Sequence, residues 1–212
     1  MNISIRLEES KDRRIVEELT REAFWNLHVP GCEEHFLVHI LRNHPDFVPE
    51  LNFVAETEGI IVGHIMYTRS AISNDNGITL ETLTFGPVSV LPEYQRKGIG
   101  SMLIQHTITI ASNLAIPAII IHGHPKNYIK HGFKVSKDFT IADKEGRFPF
   151  YLLVKELGND RIPKGNWKFS ESDGYHYDSA NFNIFENTFP AKKKEILYTQ
   201  YEFNITGRAY LD

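Results

Sequence analysis

The chain opens on a strict alternation. Ile3, Ile5 and Leu7 take every second position between Asn2, Ser4 and Arg6, the period of a half-buried strand. The period then lengthens: with Ser10 as the expected cap, Ile15, Val16, Leu19 and Ala23 recur at helical spacing until Trp25. Asn26 to Gly31 reads as a loop, and a second helix is expected over Cys32 to Arg42 with Phe36, Leu37, Ile40 and Leu41 inward. Two prolines make 43–50 a loop, after which Leu51, Phe53 and Ala55 resume the period of two. Glu58-Gly59 turns the chain into a long strand from Ile60 to Ile72. Asn74-Asp75-Asn76-Gly77 is a hairpin signal, and Ile78 to Val90 is the returning strand. Three strands joined by tight turns predict an antiparallel meander.

The returning strand runs into Leu91-Pro92-Glu93, which ends it because proline has no donor for the ladder. Gln95-Arg96-Lys97-Gly98-Ile99-Gly100 follows. In the helix after it, Ile99, Met102, Leu103, Ile110 and Leu114 form one stripe with His106 in the gap. Ala118 to His122 is a continuous apolar run, expected as a buried strand parallel to the one before the helix. A turn at Gly123-His124-Pro125, a short helix over Lys126 to His131, a strand from Gly132-Phe133 and a last core strand over Phe148 to Lys155 complete the pattern. Residues 1–155 therefore read as one α+β domain. Residues 156–212 are an extension carrying 11 of the chain's 25 aromatic side chains. Disordered tails are poor in aromatics, so this one is expected to pack on the core.

Composition narrows the function classes. A net charge of −4 over 212 residues points to neither nucleic acid nor a membrane surface as partner. No apolar run reaches the roughly 18 residues of a spanning helix, and Met1 to Glu9 lacks a signal-peptide layout. Cys32 is the single cysteine, so no internal disulfide forms and a cytoplasmic setting is expected. A lone cysteine is a weak nucleophile candidate, and the acceptor pattern Asn204-Ile205-Thr206 carries little weight without secretion. His35 and His39, four apart, and His122 and His124, two apart on a strand end, have metal-ligand spacing. Neither pair has an H-E-x-x-H context or a third ligand, so no metal is expected. The first pair reads as a solvated or substrate-lining face, the second as polar groups at a binding mouth.

The glycine turn carries the chemistry. Two glycines between a strand and the first turn of a helix let backbone approach a ligand, and unpaired helix N–H groups favour an anion there. Arg96 and Lys97 add positive charge. The dinucleotide fingerprint needs a third glycine and the ATP loop needs G-K-[ST]; both are absent. The string Gln95-Arg96-Lys97-Gly98-Ile99-Gly100 after V-x-V-x-P-E-Y resembles the Q/R-x-x-G-x-G/A acyl-CoA loop of the GCN5-related N-acetyltransferase (GNAT) superfamily. Asn127-Tyr128-Ile129-Lys130-His131-Gly132-Phe133 is similar to that family's Y-x-K-x-G-F segment. The element order before the loop matches as well, and the extension loosely resembles that of one bacterial branch.

The resemblance implies a mixed, mostly antiparallel sheet splayed between its fourth and fifth strands and flanked by helices, with acyl-CoA in the splay. It implies pantetheine pairing along Val88, Ser89 and Val90, and pyrophosphate held by Gln95, Arg96, Lys97, Gly98, Ile99, Gly100 and Ser101. The reaction it implies is direct acetyl transfer from acetyl-CoA to a small-molecule or peptide amine. Tyr128 is its proton donor, since a phenol with pKa about 10 stays protonated at neutral pH. Glu81 is the base candidate, on the strand leading to the splay. Thr82 and Thr84 compete with it if the register differs, and His122 and His64 are lesser candidates. A regulatory module that holds acyl-CoA without turnover, or an acyltransferase with another donor or acceptor, is the alternative. The extension would wall the acceptor site or form a homodimer contact.

Overall fold

The two tight turns shape the sheet. Glu58 and Gly59 both adopt positive φ, which lets β2 (Phe53–Thr57) reverse directly into β3 (Ile60–Ser73). Asn74 accepts N–H bonds from Asn76, Gly77 and Ile78 and turns β3 into β4 (Thr79–Val90). With β1 (Ser4–Leu7) on the outside, these strands form the antiparallel run β1-β2-β3-β4. A computed structural model describes the whole chain, Met1 to Asp212.

After β4 the chain forms α3 (Ile99–Ala111) and returns as β5 (Ala118–His122), parallel to β4. β8 (Leu152–Glu156) and β6 (Lys134–Val135) extend the sheet beyond β5. The helix α3 lies on one face, over the largest core cluster, which contains Ile65, Tyr67, Leu83, Phe85, Ile99, Leu103, Ile119 and Phe133. The helices α1 (Arg13–Phe24) and α2 (Glu34–Leu41) lie on the other, over Val16, Leu19, Val38, Leu41, Val54, Ile61 and Met66.

The extension supplies a strand. β9 (Trp167–Ser170) pairs with the end of β3 through Ala71–Ser170 and Ser73–Lys168, and β7 (Ile141–Ala142) pairs with β9. The expected last core strand, Phe148 to Lys155, is in fact Leu152–Glu156, and it is followed by β9 within the same sheet. Trp167 and Phe169 cover Ile72, Ala118, Ile120, Leu152 and Val154 in a second buried cluster. Farther on, α5 (Ser179–Glu186) lays Phe182 and Phe185, with Phe189 behind them, against Phe36 of α2. The chain closes with α6 (Tyr198–Thr206).

Several expectations shift. The 3₁₀ turn Ser10–Asp12 precedes α1, and Glu9 and Asp12, not Ser10, form the capping pair: Glu9 N–H donates to Asp12 Oδ2 at 2.8 Å. Ile15 points to solvent, and Cys32 and Glu33 precede α2 rather than open it. On α3 the inward side chains are Ile99, Leu103, Ile104, Thr107, Ile108 and Ala111, while Met102 and Leu114 are exposed. This helix is apolar on most sides, so periodicity does not fix its rotation. Gly63 does: a Cβ there would meet Ile99 Cγ2 at 3.0 Å and Leu103 Cδ1 at 3.1 Å. The bare backbone of β3 is the socket for these two side chains.

Candidate active site

The parallel pair β4–β5 touches at one register point, Leu83–Ile119. Beyond it the strands separate. In β4 two residues, Gly86 and Pro87, stand opposite the single Met66 of β3, because Phe85 pairs with Tyr67 and Val88 with Ile65. Such a bulge bends its strand. Val88 to Val90 therefore keep β3 on one edge and leave the other edge without a strand. The buried Ser89 hydroxyl meets Thr20 of α1 at 2.9 Å, so Ser89 can offer a ligand only its main chain.

This open edge leads into the glycine turn. Gln95 side-chain N–H donates to Val90 carbonyl at 3.1 Å and folds the turn back on the strand. Arg96 and Gly98 both have positive φ, and Gly98 is the N-terminal flank of α3. The N–H groups of Arg96, Lys97 and Gly98 find no partner in the protein, and those of Ile99, Gly100 and Ser101 are the ones a first helical turn leaves free. Ile99 itself is buried, so it too presents only its amide. A Cβ on Gly98 would meet nothing within 4 Å, and one on Gly100 only Val90 at 3.7 Å. Gly98 is thus fixed by its left-handed backbone and Gly100 by the room it leaves above the helix. The result is an exposed row of amides beside two cations, aimed where an anion fits.

Tyr128 ends α4 (Pro125–Tyr128), which His124 caps by accepting Lys126 N–H at 3.2 Å. Its ring lies 5.8 Å from that of Phe85 on β4 and 5.9 Å from that of Phe133. Gly123, just past β5, makes room for it: a Cβ there would come within 2.4 Å of the ring. Burial pushes the hydroxyl up to about 12. The group stands as a protonated phenol at the separation of β4 and β5.

The other expected site residues fall elsewhere. Glu81 lies two residues before the Leu83–Ile119 pair, on the closed side of the splay, with its half-exposed carboxylate 3.5 Å from Arg69. Four residues of strand, about 13 Å, separate it from Phe85, on which Tyr128 packs, and seven, about 23 Å, from Val88, so Glu81 stands back from both. Thr82 and Thr84 point away from α3, and Thr82 is spent on Ser70 at 2.8 Å. His64 is wholly buried, bonded to Asn52 at 2.8 Å and 3.9 Å from Glu8. His35 is no solvated or substrate-lining group: it is enclosed beneath α5, bonded to Glu186 at 2.8 Å, with Cys32 Sγ 3.5 Å from its other nitrogen. Burial raises the Cys32 thiol far above its ordinary value, which removes it as a nucleophile. No three His, Cys, Asp or Glu side chains converge as a metal site would require. Sequence reasoning missed Tyr175, whose hydroxyl donates to Gly86 carbonyl at 3.1 Å and so touches the bulge itself.

Residues 17–133 match the sequence model of the Acetyltransferase (GNAT) family. The chain belongs to this family. Among curated proteins it is similar to YjhQ of Escherichia coli K12, described as an uncharacterized N-acetyltransferase, at 34% identity over 86 residues. That match takes in 41% of this chain and about half, 47%, of the relative's length. Among solved structures, the GNAT-family N-acetyltransferase YhbS of Escherichia coli, in complex with CoA, superposes with a TM-score of 0.70 at 19% identity over 82% of this chain and 92% of that one. A GNAT acetyltransferase of Brucella melitensis, in complex with acetyl-CoA, gives 0.65 at 25% identity over 82% and 99%. The splayed mixed sheet with flanking helices is the GNAT fold, and the match at 17–133 runs from α1 through the glycine turn to Phe133.

Proposed function

We propose that this GNAT protein transfers the acetyl group of acetyl-CoA directly to an amine. The observation that carries the reading is the run of unpartnered amides from Arg96 to Ser101 at the end of an open strand edge, with Tyr128 at the splay. The amides and the α3 dipole hold the pyrophosphate. Val88 to Val90 offer main chain to the pantetheine arm, as a strand edge does to a peptide. The N–H of Val88, at the bulge, supplies the hydrogen bond that the thioester oxygen needs as it gains charge. When the C–S bond breaks, Tyr128 gives its proton to the sulfur. The apolar setting that raises the phenol also raises the proton affinity of a thiolate beside it, so donor and acceptor stay matched. That two solved relatives hold CoA and acetyl-CoA supports this choice of donor.

Calorimetric titration with acetyl-CoA tests the reading. Binding in the micromolar range is expected for the native chain. Gly98→Asp places a side chain on a left-handed backbone and a negative charge against phosphate, and is expected to lower affinity at least a hundredfold while the fold survives. Equal affinity in the two proteins would exclude the turn as the cofactor site.

A further inference from the structure

The face of the splay opposite α3 is finished by the extension. Ser170 is held on β3 by its pairing with Ala71, and the buried Ser172 hydroxyl donates to Asp46 at 2.7 Å. Glu171 stands between these two fixed points. Its carboxylate lies 3.9 Å from His122 Nε2 and has no lysine or arginine partner. His122 ends β5 on the same face as Ala118 and Ile120, which lie under Trp167 and Phe169. Its ring is 5.9 Å from that of Phe169, and about half of its side chain remains open to solvent (48%). On the neighbouring strand the same face carries Thr84, whose buried hydroxyl has no partner. Thr68 stands opposite Thr84 on β3 and bonds Tyr175 at 3.4 Å, so the extension roofs this polar row as far as Gly86.

We propose that His122 is the base of the acetyl transfer, that Glu171 is its positioning residue, and that the pair selects a cationic primary amine. This rests on the acetyl-transfer reading above. His122 Nε2 takes a proton from the incoming ammonium. The freed nitrogen forms the C–N bond to the thioester carbon, the C–S bond breaks, and the sulfur takes the Tyr128 proton. Tyr128 regains a proton from the new amide nitrogen through solvent, and His122 releases its own to water. An imidazole suits the first step because its unprotonated ring nitrogen accepts a proton in line with the incoming ammonium. At 3.9 Å the Glu171 carboxylate makes no hydrogen bond to Nε2; having no cationic partner of its own, it attracts the ammonium and positions it at that nitrogen. The extension is thus part of the catalytic site rather than an accessory to it.

The test uses the full chain, acetyl-CoA and 1,5-diaminopentane, following release of the CoA thiol. His122→Asn is expected to lower kcat about a hundredfold with acetyl-CoA affinity unchanged, and added imidazole to restore part of the rate. Glu171→Gln is expected to lower kcat/KM for the diamine about tenfold, with Glu171→Asp intermediate and the KM for acetyl-CoA unmoved. Native turnover of the diamine that persists in His122→Asn overturns the inference while the parent reading stands. Equal loss in Glu171→Asp and Glu171→Gln, with weakened acetyl-CoA binding in both, makes Glu171 a structural residue and overturns its role. Acetyl-CoA binding with no release of CoA by the native protein overturns the base. Failure to bind acetyl-CoA at all overturns the parent reading, and the inference with it.

Discussion

Tyr128 shows how one side chain is prepared by its neighbours. Gly123 clears the space for its ring, Phe85 and Phe133 flank it, and His124 fixes the short helix that carries it. The hydroxyl makes no hydrogen bond within the protein, which leaves its proton free for a ligand. Tyr67, a buried phenol of the same core cluster, is already bonded to Thr107 at 2.8 Å. Tyr128→Phe is therefore expected to lower kcat by about 10²-fold, the scale of one general acid, and to leave acetyl-CoA affinity within about twofold. Steady-state kinetics with the same diamine, beside calorimetry, separates the two quantities; an unchanged kcat would remove Tyr128 as the donor. Gly123→Ala is expected to weaken turnover by a different route, because its Cβ would meet the Tyr128 ring at 2.4 Å and displace it.

At the scale of elements, the glycine turn works because α3 is seated correctly on the sheet. Gly63 is the seat: a side chain there meets Ile99, Leu103 and, at 3.3 Å, the carbonyl of Ser89. Gly63→Val is expected to cost about 1–3 kcal/mol of stability, the usual range for overpacking, and to weaken acetyl-CoA binding because the helix terminus moves. Urea denaturation and calorimetry on one preparation measure both. An unchanged midpoint would show that α3 does not rest there. This contact also explains what the sequence could and could not reveal. The meander, the glycine turn and the parallel β5 are local patterns, and they were legible because turn residues and β-branched runs mark them. The rotation of α3 was not, because it depends on an absent side chain on a strand 36 residues before Ile99. β9 was missed for a similar reason. Trp167-Lys168-Phe169-Ser170 alternates, but four residues are a weak signal, and the partner at Ala71 lies almost 100 residues away. Glu81 lies on the closed side of the splay for a reason of register: the strands part past Leu83, and no local pattern states where two strands part company.

Across the whole molecule, buried polar groups join the layers and set its response to acid. Arg42 of the α2 end binds Glu8 through Nη2 at 2.5 Å and Glu17 at 2.8 Å, and Asn52 links Glu8 to His64 on the sheet. His35 and Arg21 together hold Glu186, which fastens α5 to α1 and α2. Burial lowers His64 to about 4; Glu8 opposes that shift, but Arg42 offsets Glu8. Burial lowers His35 as well, and the bonds from Arg21 and His35 outweigh burial to lower Glu186. All three shifts have one sign. In each case the unfolded chain binds its proton at a higher pH than the folded one, so stability rises with pH. The histidine contributions are fully present above about pH 7 and decline as pH falls below 6.5; the Glu186 contribution is lost below about 4.5. His64 alone accounts for about 2 kcal/mol between pH 8 and pH 5 by this linkage. Urea midpoints taken at half-unit intervals should therefore fall steadily over that range. His64→Gln, which keeps a donor for Asn52 but cannot titrate, should flatten the curve between pH 7 and 5 by about that amount. A slope identical to that of the native chain would mean that His64 is protonated in the folded state and that its burial is not what makes the protein acid-labile.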